Sequence, residues 1–267
     1  MRTPPIDLVI TDDVIHFLKL KSRDSLTPTI VEQLSKLKSD FFMEFSRHLP
    51  ENITLKVRDV DVLVDRITAM AASLFGTAVS LDRVALSRSP FFLDITSIMT
   101  ERGREWASKP QCPPIDAQLD ELIKQCSAVK LVDIGSQSGS LISYVCGRLL
   151  KRNVKIGGIV IGIAGRYSQR QLSVLHYPLC IVERFEYLRW IELRDLLGLD
   201  GRIVMIEGAP TRLPAWISFI KNSPLTKCEA NKLEFICKDY RKKIIDVLIS
   251  CGSCRLSHFD DIYLGPA

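Results

Sequence analysis

Val129-Lys-Leu-Val-Asp133, then Ile134-Gly-Ser-Gln-Ser-Gly-Ser140, then Leu141 to Lys151, then Lys155 to Ala164, decide how this chain is read. The first run is apolar and ends in an acid, which predicts a strand. The second is built of small residues around one Gln, which predicts a turn. Leu141 to Lys151 carries apolar residues at helical spacing, and Lys155 to Ala164 is a second apolar strand followed by Gly165-Arg166. Strand, turn, helix and strand in this order make a βαβ crossover. Its strands are expected to be parallel and its connection right-handed.

The turn from Gly135 to Ser140 falls between the carboxyl end of a strand and the start of a helix. Gly135 and Gly139 let the backbone curl closely around a ligand. Exposed amide N–H groups and the helix dipole both favour an anion, so the turn is a ready phosphate cradle. Ser136, Gln137, Ser138 and Ser140 add polar side chains. Asp133 ends the strand at the crevice where open α/β sheets bind ligands. A carboxylate there accepts two ribose hydroxyls, or holds Mg²⁺ through water. The competing reading is a tight βα turn with no ligand, since serine and glycine suit any such turn.

Working outward, Asp7 to Leu20 predicts a strand and a short helix. Thr27 caps a helix with Pro28 at its first position, and Ile30, Leu34, Leu37, Phe41, Phe45 and Leu49 form its stripe, ended by Pro50. Asp59 to Phe75 predicts a second helix stopped by Gly76. Leu81 to Leu86 and Phe91 to Ile95 read as strands or extended segments, Arg102 to Pro114 as a mobile loop, and Asp116 to Cys126 as a helix. Beyond the crossover, Leu179 to Glu183 and Arg202 to Ile206 read as strands, with a partly helical stretch from Arg184 to Gly198. Leu213 to Phe219 reads as a short helix. Thr226-Lys-Cys-Glu229 is a capping box opening a long helix to Ser250, and Cys251 to Ala267 is a tail. The expected fold is α/β: a central, mostly parallel sheet with flanking helices (79–210), an N-terminal helical cap (1–78) and a C-terminal helical extension (211–267).

Of 267 residues, 46% are hydrophobic and 25% charged, which excludes a disordered chain. No apolar run approaches the ~20 residues of a membrane span, and Met1 to Phe17 does not read as a secretory leader. A net charge of +5 suits an anionic small molecule and lacks the dense basic stripe of an unspecific nucleic-acid binder. Lys238, Arg241, Lys242 and Lys243 read as a solvated face of the last helix, with a nucleic-acid or partner contact as the alternative. Eight cysteines without a leader read as free thiols in a reducing cytoplasm. Cys251-Gly-Ser-Cys254 is a lone pair of thiols for which zinc or redox use is the weaker reading.

Leu131-Val-Asp133-Ile-Gly-Ser-Gln-Ser-Gly-Ser-Leu141 resembles the ligand loop of type I phosphoribosyltransferases, an apolar strand, acid and Ser/Thr/Gly run before a helix. Ile156 to Ile163 continues the resemblance, and Glu192-Leu-Arg-Asp195 with Gly198 and Gly201-Arg202 looks like the late segment that closes over the base in some members. The resemblance spans residues 80 to 208. It implies phosphoribosyl pyrophosphate as ligand, Mg²⁺ as cofactor, and transfer of ribose 5-phosphate to or from a nucleobase. Gly135 to Ser140 would hold the 5′-phosphate and Asp133 the ribose hydroxyls. By charge and position, Arg102 and Arg104 in the expected mobile loop are candidates to act with Asp133 in catalysis by closing over the leaving diphosphate, with Arg88 as another. Trp190 reads as core plus surface or as part of a base pocket, and Asp195 falls in the segment that would close over the base. The family commonly has two adjacent acids and this chain has Asp133 alone. The same stretch is similar to the first motif of class I methyltransferases, with Gln137 in place of its middle Gly and no acid ending the next strand. A third expectation is a non-catalytic nucleotide- or partner-binding module that keeps the cradle without the chemistry. A homo-oligomer, or a partner protein that supplies missing groups, is a separate expectation.

Overall fold

Residues 4–21, 26–84, 86, 89–100, 103–109, 112–199, 202–206, 209–213 and 225–250 are described by the computed structural model. The elements are β1 (Ile6–Asp12), α1 (Val14–Lys21), α2 (Pro28–Arg47), β2 (Ile53–Asp59), α3 (Val60–Ala72), β3 (Thr77–Ser80), β4 (Phe91–Phe92), β5 (Ile95–Thr100), β6 (Gly103–Ser108), α4 (Ile115–Gln125), β7 (Ala128–Ser136), α5 (Ser140–Leu150), β8 (Lys155–Gly165), α6 (Arg166–Ser173), β9 (Leu179–Phe185), β10 (Leu188–Glu192), α7 (Leu193–Leu196), β11 (Arg202–Ile206), β12 (Ala209–Leu213) and α8 (Lys227–Ser250). Packing groups them into two units. One holds Met1–Thr11, Lys56–Ser97 and Glu105–Trp190; the other holds Asp12–Leu55, Ile98–Arg104 and Ile191–Ala267. Each gathers separate stretches, whereas the division expected from the sequence runs along the chain.

The first unit is an α/β layer structure around a five-stranded sheet of order β4-β3-β7-β8-β9, parallel at every pairing. Parallel strands covered on both faces read as nearly continuous apolar runs, which is why β7 and β8 were legible. Leu131, Ile159 and Ile161 pack with Leu119 and Leu122 of α4, Ile142, Val145 and Leu149 of α5, and Leu172 of α6. Val132, Ile134, Val160 and Ile163 pack on the opposite face with Leu63, Ile67 and Ala71 of α3. The alternation of Leu131 with Val132 follows from the two-residue period of a strand. At Gly157 a Cβ would start 2.0 Å from the Phe75 carbonyl oxygen, so the turn after α3 rests on bare strand backbone. Lys130 adds a helix cap, donating from Nζ to the carbonyls of Ala71 and Leu74 at 2.7 and 2.9 Å. Most of β1, β2 and β10 also belong here, as a sheet of order β10-β1-β2.

Several elements differ from expectation. β2 was not anticipated, although Ile53, Leu55 and Val57 alternate. β3 occupies Thr77–Ser80 and the chain has already turned by residues 81–84. Asp82 N donates to Ser80 Oγ (3.0 Å) and Val84 N to Asp82 Oδ1 (2.7 Å), and these local bonds replace ladder pairing. The stretch expected as a loop from Arg102 contains β6, which pairs with β5 in a two-stranded sheet. The partly helical stretch after Arg184 is the end of β9, then β10, then the short α7.

In the second unit, α2 and α8 pack together, with Phe41 edge-on to Tyr240 at 5.4 Å between ring centroids. Thr27 accepts from the Ile30 amide, as expected. Asp13 and Arg194 form a buried pair in which the Arg194 amide and Nη1 both donate to the carboxylate. β11 and β12 pair antiparallel. The basic face expected on α8 is not wholly solvated. Arg241 is buried and donates from Nε to the Gly198 carbonyl (3.2 Å), while Lys238 and Lys243 pair with Glu234 and Asp239 one turn earlier. Those ion pairs reduce the charge available to a nucleic acid. The helix expected at Leu213 to Phe219 begins on the last residue of β12 and otherwise lies outside the described residues, as do Cys251 and Cys254. No described helix is long and apolar enough to cross a membrane.

Candidate functional site

Strand order places the site. From β3 the chain steps to β4 on one side, then returns on the other side as β7, β8 and β9. Such a reversal opens a crevice beyond the carboxyl ends of the two strands beside it. Ser80, the last residue of β3, pairs with Val132, and the Leu81 amide bonds to the Val132 carbonyl at 3.0 Å. Asp133 and everything after it therefore extend past the end of β3.

Asp133 is 8% exposed and accepts from the Ile134 amide through Oδ1 (2.9 Å). Ser136 is also buried. Its Oγ accepts the Gly139 N–H (3.0 Å) and the hydroxyl of Ser168 on α6 (2.8 Å). Gly139 is the N-cap of α5 with φ +76°, a left-handed conformation that glycine adopts without strain. The N-cap glycine has no side chain to cap α5, and Ser138 Oγ accepts the Ser140 amide at 3.4 Å. Its first-turn amides and dipole face the end of β7. Ser138 and Ser140 lie outside this knot, hydroxyls 2.8 Å apart, and Gln137 is exposed. Of the three serines, Ser136 is committed inward and Ser138 and Ser140 remain open to a ligand.

Trp190 lies against the base of the turn. A Cβ on Gly135 would start 2.4 Å from its indole, which is fixed by an Nε1 hydrogen bond to Thr11 Oγ1 (3.1 Å). The structure thus brings Asp133, Gly135 to Ser140 and Trp190 together within the first unit. Asp195 belongs to α7 of the second unit, with its carboxylate 3.9 Å from Arg194 Nε. Arg88 and Arg102 lie outside the described residues, as does the side chain of Arg104, whose backbone is in β6.

Four groups at this edge escaped the sequence reading. Ser80 and Asp82 shape the end of β3, and a Ser-x-Asp pair after a strand is a recognisable turn signal. Arg83 stacks over Phe92 (4.5 Å) and grips Asp94 through Nε and Nη2 at 3.1 and 2.6 Å, a bond that raises its pKa. Ser168 carries no sequence signal at all. Arg166, the first residue of α6, is hydrogen-bonded to Glu186. Among the described residues no group of three or more His, Cys, Asp or Glu is placed to hold a metal.

No protein family and no curated protein matches the sequence. Solved structures that it is similar to are phosphoribosyltransferases. The orotate phosphoribosyltransferase of Mycobacterium tuberculosis H37Rv, solved with 5-phospho-α-D-ribosyl 1-diphosphate, aligns at 11% identity and TM-score 0.31 over 61% of this chain and 93% of that one. A phosphoribosyltransferase from Corynebacterium diphtheriae aligns at 10% identity and TM-score 0.31 over 61% and 99%. The orotate phosphoribosyltransferase of Francisella tularensis aligns at 13% identity and TM-score 0.28 over 69% and 79%. At such identities the likeness concerns fold alone, and at these TM-scores the functional reading has to rest on the geometry of this chain.

Proposed function

We propose that this chain is a phosphoribosyltransferase-like protein that binds phosphoribosyl pyrophosphate with Mg²⁺ and transfers ribose 5-phosphate to or from a nucleobase. The observation that carries the reading is the β7–α5 junction: a left-handed Gly139, which gives the helix start no N-cap side chain, beside a reversal of strand order. The amides after Ser136 and the hydroxyls of Ser138 and Ser140 hold the 5′-phosphate. Asp133 takes the ribose hydroxyls. Trp190 backs the turn at Gly135 and stays a candidate for the base side. Arg88, Arg102 and Arg104 are the cations assigned to the diphosphate.

Asp133 suits Mg²⁺ that arrives with the ligand, because that ion keeps several waters and takes only one or two carboxylates plus phosphate oxygens. When bound, it would neutralise charge gathering on the departing diphosphate. The protein's own share is to orient the ribose and keep the reacting atoms aligned.

One observation favours a binding module that lacks transfer: Asp133 stands between Val132 and Ile134, so no second acid is next to it in sequence. Thermal unfolding with phosphoribosyl pyrophosphate and Mg²⁺, and separately with S-adenosylmethionine, tests the reading, followed by assay of diphosphate release over a panel of nucleobases. Stabilisation by the first ligand with diphosphate release supports transfer, and stabilisation without release supports the module. Stabilisation by S-adenosylmethionine alone rejects both.

A further inference from the structure

Building on the reading of residues 135–140 as a phosphate site, we infer that Thr11 is a positioning residue for that site, which fixes the start of the phosphate turn by holding the Trp190 indole. The turn begins on Gly135, which still belongs to β7 and pairs with Ile163 of β8. A Cβ on Gly135 would start 2.4, 2.6 and 2.7 Å from Cε2, Cδ2 and Cζ2 of Trp190. The ring therefore rests on bare backbone, and close-packed contacts of this kind transmit displacement. Its polar anchor is Thr11, whose Oγ1 accepts from Nε1 at 3.1 Å. Thr11 is 1% exposed, so bulk water does not compete for that bond from its side. The two residues sit on β1 and β10, neighbours in one sheet, and the indole packs on the cluster that contains Val9 and Ile134.

The role assigned to Thr11 is indirect. Gly135 leads into the amides that the phosphate reading uses as donors, and those donors hold an anion only while they converge on it. Without the Thr11 hydroxyl the indole N–H loses its partner, which is costly for a polar group held out of water. Trp190 is only half-buried, so turning the ring returns that N–H to solvent. The Gly135 backbone then loses its backing, and the turn relaxes towards the space the ring has left. A shift of about 1 Å is enough to spoil such an alignment. Thr11 and Trp190 thus act as one device, and removing either half of their bond should have the same consequence for a ligand.

The test is calorimetric binding of ribose 5-phosphate to the wild type, Thr11→Val, Thr11→Ser, Trp190→Phe and the double variant Thr11→Val/Trp190→Phe. Thr11→Val keeps the volume and removes the hydroxyl, and should bind about tenfold more weakly, the scale of one hydrogen bond to a charged group. Thr11→Ser keeps the hydroxyl and should bind as the wild type does. Trp190→Phe removes the N–H from the other side and should match Thr11→Val, for which it stands in if that variant does not fold. The double variant should bind no more weakly than the weaker single one, because coupled residues are not additive. Thr226→Ala, which removes a helix-capping hydroxyl in the second unit, separates this from a general loss of stability and should leave the affinity unchanged. Unchanged binding in Thr11→Val, equal losses in Thr11→Val and Thr11→Ser, or losses that add in the double variant overturn this inference and leave the phosphate site standing. No binding by the wild type overturns the site and this inference together.

Discussion

Helices α5 and α8 meet the same difficulty in their first turn and resolve it in opposite ways. Each opens on amide N–H groups that have no partner within the helix. At α8 the side chains answer: the Thr226 amide donates to Glu229 Oε2 at 2.7 Å and the Glu229 amide to Thr226 Oγ1 at 3.3 Å. At α5 the N-cap is Gly139, which has no side chain, and the nearby hydroxyl of Ser136 takes the Gly139 amide instead. Helices α4 and α6 also start without a side-chain cap. What sets α5 apart is its place next to the β3/β7 reversal. A reciprocal capping box contributes to stability and closes the start, whereas at α5 serine hydroxyls take only the amides of Gly139 and Ser140 and the next first-turn amides keep no side-chain cap. Local rules broken at one defined place are a common mark of a working site.

Four experiments break or sharpen that contrast. The largest effect is expected from Gly139→Val, which forces a branched residue into a left-handed conformation against Leu172. Urea unfolding should show a loss of about 3 kcal/mol, and a loss below about 1 kcal/mol would mean that the turn relaxes freely. Ser140→Glu should separate stability from binding. A carboxylate at the helix start favours the dipole by about 0.3–1 kcal/mol, yet repels an anionic ligand. Calorimetry with ribose 5-phosphate should show binding at least ~10-fold weaker, on the scale of one lost charged hydrogen bond, in a protein that melts no lower.

Thr226→Ala opens the contrasting helix and should cost about 1 kcal/mol while phosphate affinity stays the same. A drop in affinity there would show that the two starts are not independent. The smallest effect is its acid dependence. Hydrogen bonds from Thr226 hold the Glu229 carboxyl below its usual range. A depressed folded pKa stabilises above the ordinary carboxylate value, and that contribution fades as pH falls through the folded value. Wild type and Thr226→Ala should therefore converge in stability in acid, as read from urea midpoints across pH.

Legibility followed the range of the interactions. Thr27-Pro28 and Thr226 to Glu229 announced their helices because a cap is settled within four residues. β7, the turn, α5 and β8 were readable because strands covered on both faces leave unbroken apolar runs. Arg241 misled because its neighbours Lys238, Lys242 and Lys243 suggest a wet face, whereas its guanidinium is buried against a partner distant in sequence, the Gly198 carbonyl. β5 and β6 misled because a two-stranded sheet tolerates the charges and Gly that also mark loops. β3 was displaced because the apolar residues after Asp82 suggested a strand that the Ser80–Asp82 bonds had already ended.

The sequence by itself determined the junction of β7 and α5: a small-residue bend, a glycine able to turn left-handed, an acid before it and a helix start whose N-cap has no side chain. These depend on neighbours a few residues apart, so composition and spacing carry them. Only the tertiary structure decided that β3 lies beside β7, that Trp190 backs Gly135, and that the Ser168 hydroxyl bonds to that of Ser136. Those contacts join residues tens of positions apart, and no local pattern encodes a partner that arrives through the folding of the rest of the chain.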